Sequence, residues 1–186
     1  MKIPVRLLNG QVLPIVTKEG DWIDIATTSE LNLQGPTADT LKRSRAGKQD
    51  VSIRAVNFHP ETISLNMAME LPAGFEAVVL PRSSTFNKYG LDLGNTEGVI
   101  DQRYCGNTDI WRATIKPYRT VTVPAKTRLF QFRIQLSQKA TVLQKLRWLF
   151  WNGKIEFVEV DKLDNPDRKG FGEGTQYLDN GPDKLA

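Results

Sequence analysis

Between Ile63 and Leu71 the large apolar side chains fall on every second position, Ile63, Leu65, Met67, Met69 and Leu71, with Ser64, Asn66, Ala68 and Glu70 between them. A period of two is the mark of a strand with one face buried, so the spacing predicts a strand over 63–71. The same alternation recurs at Val51, Ile53 and Ala55, at Trp111, Ala113 and Ile115, and at Phe130, Phe132, Ile134 and Leu136, the last set opposed by Gln131, Arg133 and Gln135. Glycine and proline fall mostly between these runs, as in Leu71-Pro72-Ala73-Gly74, because a proline inside a strand removes a ladder hydrogen bond. Many short strands punctuated in this way predict an all-β sandwich, barrel or jelly roll.

One stretch has a different period. From Ala140 to Trp151, Val142, Leu143, Leu146, Leu149 and Phe150 follow helical spacing, with Lys145 and Arg147 off that stripe, which predicts a short helix. The cluster Trp148-Leu149-Phe150-Trp151 is expected to bury against the domain or another subunit. Residues 35–49 are polar and carry Lys42, Arg43, Arg45 and Lys48 with few large apolar groups, so they read as an exposed loop. The tail from Asn165 onward is rich in Gly, Asp, Asn and Pro and reads as a mobile segment that a ligand or partner orders.

Composition narrows the chemistry. The 186 residues carry 25 Lys and Arg against 21 Asp and Glu, a net charge of +4, with 40% hydrophobic residues, which supports one domain with a buried core. No run approaches the roughly 18 apolar residues of a membrane span, and Met1-Lys2-Ile3-Pro4 does not open a secretory signal, so a cytoplasmic location is expected. A single cysteine, Cys105, rules out an internal disulfide, and it is expected to pack rather than act as a nucleophile. A single histidine, His59, rules out a zinc site of several His and Cys, and His59-Pro60-Glu61 reads as a turn. The four cations of 35–49 lack interleaved aromatics, which argues against nucleic-acid binding. Chemistry therefore rests on carboxylates, hydroxyls, Arg and Lys.

Three strings concentrate those groups. Pro81-Arg82-Ser83-Ser84 follows the apolar run Ala77-Val78-Val79-Leu80 and gathers a guanidinium and two hydroxyls at a strand end, where they can surround a polyphosphate. Composition alone favours a solvated turn there. Gly98-Val99-Ile100-Asp101 leads through Tyr104 to Gly106, and an Asp beside Val and Ile, partly desolvated in a tight hairpin, is a candidate base. The alternative is a turn-capping Asp with Tyr104 as core. Arg168-Lys169-Gly170-Phe171-Gly172 sets one ring among glycines behind two cations, and either closes over a ligand or is a disordered tail.

In order and spacing these strings resemble the motifs of the homotrimeric all-β deoxyuridine triphosphatase (dUTPase) family. Arg82, Ser83 and Ser84 with Lys88 and Gly90 match its second motif; Asn95, Gly98 to Asp101 and Tyr104-Cys105-Gly106 its third; Leu163-Asp164 through Arg168 to Gly172 its fifth. Asp24 is similar to the acid of the first motif, and Gln131 in Arg128-Leu129-Phe130-Gln131 to the fourth. The resemblance implies a distorted jelly-roll or β-barrel domain over 1–164, with 35–49 and 141–153 as insertions, and a lid over 165–186.

It also implies a homotrimer with shared active sites and hydrolysis of dUTP to dUMP and pyrophosphate. Asp101 would activate water for attack on the α-phosphorus. Arg82, Ser83, Ser84 and Gln131 would hold the phosphates, Asn95 the uracil edge and Tyr104 the deoxyribose. Arg168 would meet the terminal phosphate, Phe171 would cover the base, and Asp24 would reach hydrated Mg²⁺ through water. Two other readings remain: a dCTP deaminase of the same fold, which would need a glutamate where Asp101 stands, and a dUTP-binding regulator with weak catalysis whose insertions contact a protein partner.

Overall fold

The structure is a computed structural model that describes residues 1–18, 20–45 and 48–168, with only the backbone described over 40–54. Chain order runs β1 (Lys2–Leu7), β2 (Ile15–Val16), β3 (Ile23–Ala26), β4 (Leu31–Leu33), β5 (Thr37–Arg45), β6 (Lys48–Asn57), β7 (Glu61–Ser64), β8 (Met67–Met69) and β9 (Phe75–Pro81). It continues with α1 (Ser83–Tyr89), β10 (Leu91–Leu93), β11 (Gly98–Ile100), β12 (Arg112–Pro117), β13 (Val121–Val123), β14 (Arg128–Leu136), α2 (Val142–Leu149) and β15 (Glu156–Glu159).

The strands form a five-stranded sheet in the order β11-β9-β14-β3-β2, two three-stranded sheets (β15-β1-β8 and β10-β12-β7) and two strand pairs (β13-β4 and β5-β6). The all-β expectation is met, and among the described residues the sheets do not close into one barrel. The spine is the antiparallel pair β9–β14, in register from Pro81↔Phe130 to Phe75↔Leu136. Its inward side chains meet those of the other sheets in one core, where Trp111 packs edge-on to Phe132 at 5.1 Å and both are fully buried. The parallel pair β1–β15 carries the late chain back to the first strand.

Three expectations are corrected. The strand predicted over 63–71 breaks at Asn66, whose φ of 53° turns the chain so that β7 pairs with β12 while β8 pairs with β1. Alternation persists across the break because both halves face one core, and this hides the break from a periodicity reading. Residues 37–45 and 48–49 are not loop but strand in a long hairpin, with β5 and β6 paired from Thr37↔Asn57 to Arg45↔Lys48. Backbone pairing within the hairpin needs no run of large apolar side chains along β5, so the composition of that half gave no signal.

The string after Pro81 is not a turn but the helix α1. Thr85 anchors it by donating to the Leu129 carbonyl at 2.7 Å, and it ends where Gly90 takes φ 66° and donates to the Phe86 carbonyl. Arg119 closes that end, donating to the Lys88 carbonyl at 2.6 Å.

Helix α2 forms as the spacing predicts, started by a capping box of Thr141 and Gln144. Its apolar stripe is not covered by the rest of this chain: Leu149 is 72% and Phe150 82% exposed, and Val142, Leu143 and Leu146 are exposed as well. Gln144 and Trp148 face the domain instead, Trp148 stacking near Phe75 (5.3 Å) and Trp151 (4.9 Å). Gly74 lies against that face: a Cβ there would come 2.6 Å from the Gln144 amide carbon, so the missing side chain leaves room for Gln144.

Candidate functional site

Asp24 lies at the centre of the first cluster. It sits on β3 directly opposite Gln131 on β14, so the two side chains share a face of the sheet. Its carboxylate is buried, with Oδ1 2.8 Å from Nε of Arg82 and Oδ2 3.0 Å from Nη1 of Arg128. Two guanidiniums around one carboxylate leave a net positive cluster whose remaining N–H groups can meet an anion. Gln131 Nε2 donates to the Pro81 carbonyl at 3.3 Å, and Ser83 and Ser84 stand exposed on the first turn of α1 beside Arg82.

Arg128 was missed by the sequence reasoning. Three positions before Gln131 it belongs on the opposite face of a regular strand, but β14 carries a bulge between Arg128 and Phe130 that re-aims it. The only sequence signal was its place in Arg128-Leu129-Phe130-Gln131.

The second cluster surrounds Asp101, which follows β11. Its carbonyl accepts from Tyr104 N–H (2.8 Å), its Oδ1 from Arg103 N–H (2.9 Å), and its Oδ2 lies 3.2 Å from Nη1 of Arg168. The side chain is about half exposed. This string does not form a hairpin with the next strand: β11 pairs with β9, and the chain then crosses to β12 in another sheet. Arg103 is exposed.

Tyr104 is buried and its hydroxyl donates to the Ile110 carbonyl at 2.9 Å; burial, and then the charge of Asp109, push its phenol above the ordinary value. Burial, followed by the carboxylates of Glu70, Asp109 and Asp101, likewise raises the Cys105 thiol, so this cysteine packs as expected. His59 lies exposed between β6 and β7, its Nε2 3.1 Å from the Thr37 hydroxyl. Asn95 occupies the turn from β10 to β11 and, with Gly98, Val99, Ile100 and Arg112, lines a cavity of about 50 Å³.

The two clusters do not meet within one chain. Ile100 is paired with Ala77 near one end of β9, whereas Arg82 follows Pro81 at the other. At about 3.4 Å per residue, Asp101 and Arg82 are roughly 20 Å apart along the sheet, far longer than a triphosphate. Phe171, and everything beyond Arg168, lies outside the described residues.

No group of three or more His, Cys, Asp or Glu side chains among the described residues could hold a metal ion. Asp24 has a guanidinium contact on each oxygen, and a carboxylate oxygen has more than one lone pair, so it suits contact with a metal-bound water rather than a direct ligand. No helix among the described residues is long and apolar enough to cross a membrane.

Known proteins resemble this chain in sequence and in fold. The dUTPase family model matches residues 46–144. The SPbeta prophage-derived deoxyuridine 5'-triphosphate nucleotidohydrolase YosS of Bacillus subtilis is 32% identical over 173 residues, covering 92% of this chain and 96% of that protein. The deoxyuridine 5'-triphosphate nucleotidohydrolase of Corynebacterium glutamicum is 26% identical over 140 residues, 72% of this chain and 84% of that one. Among solved structures, the dUTPase of Streptococcus mutans superposes with a TM-score of 0.53 at 18% identity, covering 74% of this chain and 98% of its own. The dUTPase from phage phi11 of S. aureus gives 0.54 at 17% identity over 75% of this chain and 93% of that one. At these identities the likeness in structure concerns the fold.

Proposed function

Because the chain belongs to the dUTPase family, we propose that it is a dUTP diphosphatase, hydrolysing dUTP to dUMP and pyrophosphate at sites shared between the subunits of a homotrimer. The observation that carries the shared site is the separation of the two clusters: the positive group of Arg82 and Arg128 and the carboxylate of Asp101 lie at opposite ends of β9, and one nucleotide cannot span them. A neighbouring copy supplies the missing half.

Asp101 orients a water and takes its proton as the water oxygen bonds to the α-phosphorus; the bond from that phosphorus to the bridging oxygen breaks, and pyrophosphate leaves. Positioned base catalysis of this kind supplies about 10² to 10⁴ in rate. Arg168 occupies Asp101 in the free chain, so binding must draw its guanidinium onto the terminal phosphate and release the carboxylate for water. Arg82, Ser83, Ser84, Arg128 and Gln131 hold the phosphate chain, where fixed donors stabilise the charge that moves onto the leaving group.

Mg²⁺ bound by the triphosphate would spread its negative charge, and Asp24 would hold it only through water. Asn95 meets the uracil edge, where cytosine would leave buried donors and acceptors unpaired, and Tyr104 packs beneath the deoxyribose. Phe171 covers the base. Residues 1–164 make the β domain, with 35–49 and 141–153 as insertions, and 165–186 the lid.

A nucleotide panel with Mg²⁺ tests this reading. Pyrophosphate from dUTP, with little from UTP, dCTP or dTTP, is the expected result. Ammonia from dCTP, or tight dUTP binding with no product, overturns it.

A further inference from the structure

Asp109 belongs to none of the strings singled out in the sequence, yet its surroundings tie the Asp101 turn to the late chain. It lies between that turn and β12, 1% exposed, and a single oxygen, Oδ2, accepts two backbone N–H groups: Gly106 at 2.8 Å and Arg168 at 2.9 Å. The chain around it is latched at further points. Asn107 bonds both ways to the Leu163 backbone, donating from Nδ2 (2.8 Å) and accepting at Oδ1 (2.9 Å). Thr108 N–H donates to Asp167 Oδ1 at 2.7 Å. Segment 163–168 also runs so close over the turn that a Cβ on Gly106 would lie 2.6 Å from the Asp167 nitrogen.

We infer that Asp109 is a positioning residue for the hydrolysis: by holding the backbone of Arg168 and of Gly106 on one carboxylate oxygen, it sets the point from which the Arg168 guanidinium reaches the terminal phosphate. The physical reason is leverage. The Arg168 side chain is about half exposed and has many rotamers, so its reach from Asp101 to the terminal phosphate depends on where its backbone is pinned. A charged acceptor shared by two N–H donors, buried away from water, pins it more firmly than a neutral one.

This inference rests on the roles given above to Asp101 and Arg168, and its test separates the two. Asp109→Ala and Asp109→Asn are measured for dUTP turnover, alone and combined with Arg168→Ala, with backbone hydrogen exchange followed on each. Misplacing a charged group by about an ångström costs up to about a hundredfold in rate. Asp109→Ala should therefore lose roughly ten- to a hundredfold, chiefly in kcat, and Asp109→Asn a smaller part of that. In the Arg168→Ala background neither change should cost more than about twofold, because the residue through which Asp109 acts is gone. Exchange at the Arg168 amide should quicken in both variants.

If Asp109→Ala does not fold, Asp109→Asn decides by the same cycle. Losses that add in full to that of Arg168→Ala, or an Arg168 amide that exchanges as in the wild type, overturn the inference. If Arg168→Ala alone keeps full activity, the role given to Arg168 fails first, and the exchange result still stands on its own.

Discussion

Arg128 Nη1 lies 3.0 Å from the carboxylate of Asp24, 104 residues earlier in the chain, and it gets there through a bulge in β14. Arg82 takes the other oxygen at 2.8 Å, so one buried acid orients two guanidiniums. Removing that acid sets two like charges side by side with nothing between them.

Asp24→Ala should consequently cost about 1–3 kcal/mol in stability, below the full value for breaking a buried pair because both arginines are partly exposed. It should also raise KM for dUTP, as the phosphate-binding guanidiniums lose their fixed direction. Urea denaturation and steady-state kinetics on the same preparation check both effects; unchanged values of each would show that the arginines are held by something else.

Sharing of the site between copies makes a quantitative prediction. Asp101→Asn and Arg82→Ala chains should each be nearly inactive as pure oligomers while still folding. Denatured together in equal amounts and refolded, they should regain about a quarter of wild-type turnover, the chance that a site draws an intact Asp101 from one chain and an intact Arg82 from another. A mixture no more active than its components would mean that both residues serve from one chain.

Burial of Cys105 and Tyr104 sets an alkaline limit. Both groups are raised above their ordinary values of 9.0 and 10.0, so above pH 9.0 the unfolded chain loses protons that the folded chain keeps. The folded state then binds more protons than the unfolded, and stability falls as pH climbs until the folded groups ionise too; below pH 9.0 their contribution is complete. Denaturation midpoints on either side of pH 9.0 should show this decline, with part of it removed in Cys105→Ala. In the same conditions the native thiol should react slowly with iodoacetamide and the unfolded thiol readily.

The two faces of α2 should respond oppositely. Leu146→Ser or Phe150→Ser removes side chains that touch little, so stability should stay within about 0.5 kcal/mol. Trp148→Ala empties the contact with Phe75 and Trp151 and should cost about 2–4 kcal/mol. Thermal melts distinguish the pair; the reverse order would mean that the apolar stripe is covered in the assembled protein.

Residues decided by local pattern were legible in the chain itself. Phe130, Phe132 and Ile134 alternate because β14 buries one face, and Val142, Leu143, Leu146 and Leu149 recur at the helical period of α2, so strands and helix could be read from spacing. The strings around Arg82, Asp101 and Gln131 carried the family resemblance for the same reason: each is a short run of chemistry set in order along one chain. Tertiary structure alone decided the rest. Asn66 splits one alternating run between two sheets, Trp148 rather than the apolar stripe of α2 packs on Phe75, a bulge brings Arg128 to Asp24, and Asp109 gathers Gly106 and Arg168 on one oxygen. Each of these depends on which part of the chain comes alongside, and periodicity along a sequence gives the spacing of one face, not whether or by what that face is covered.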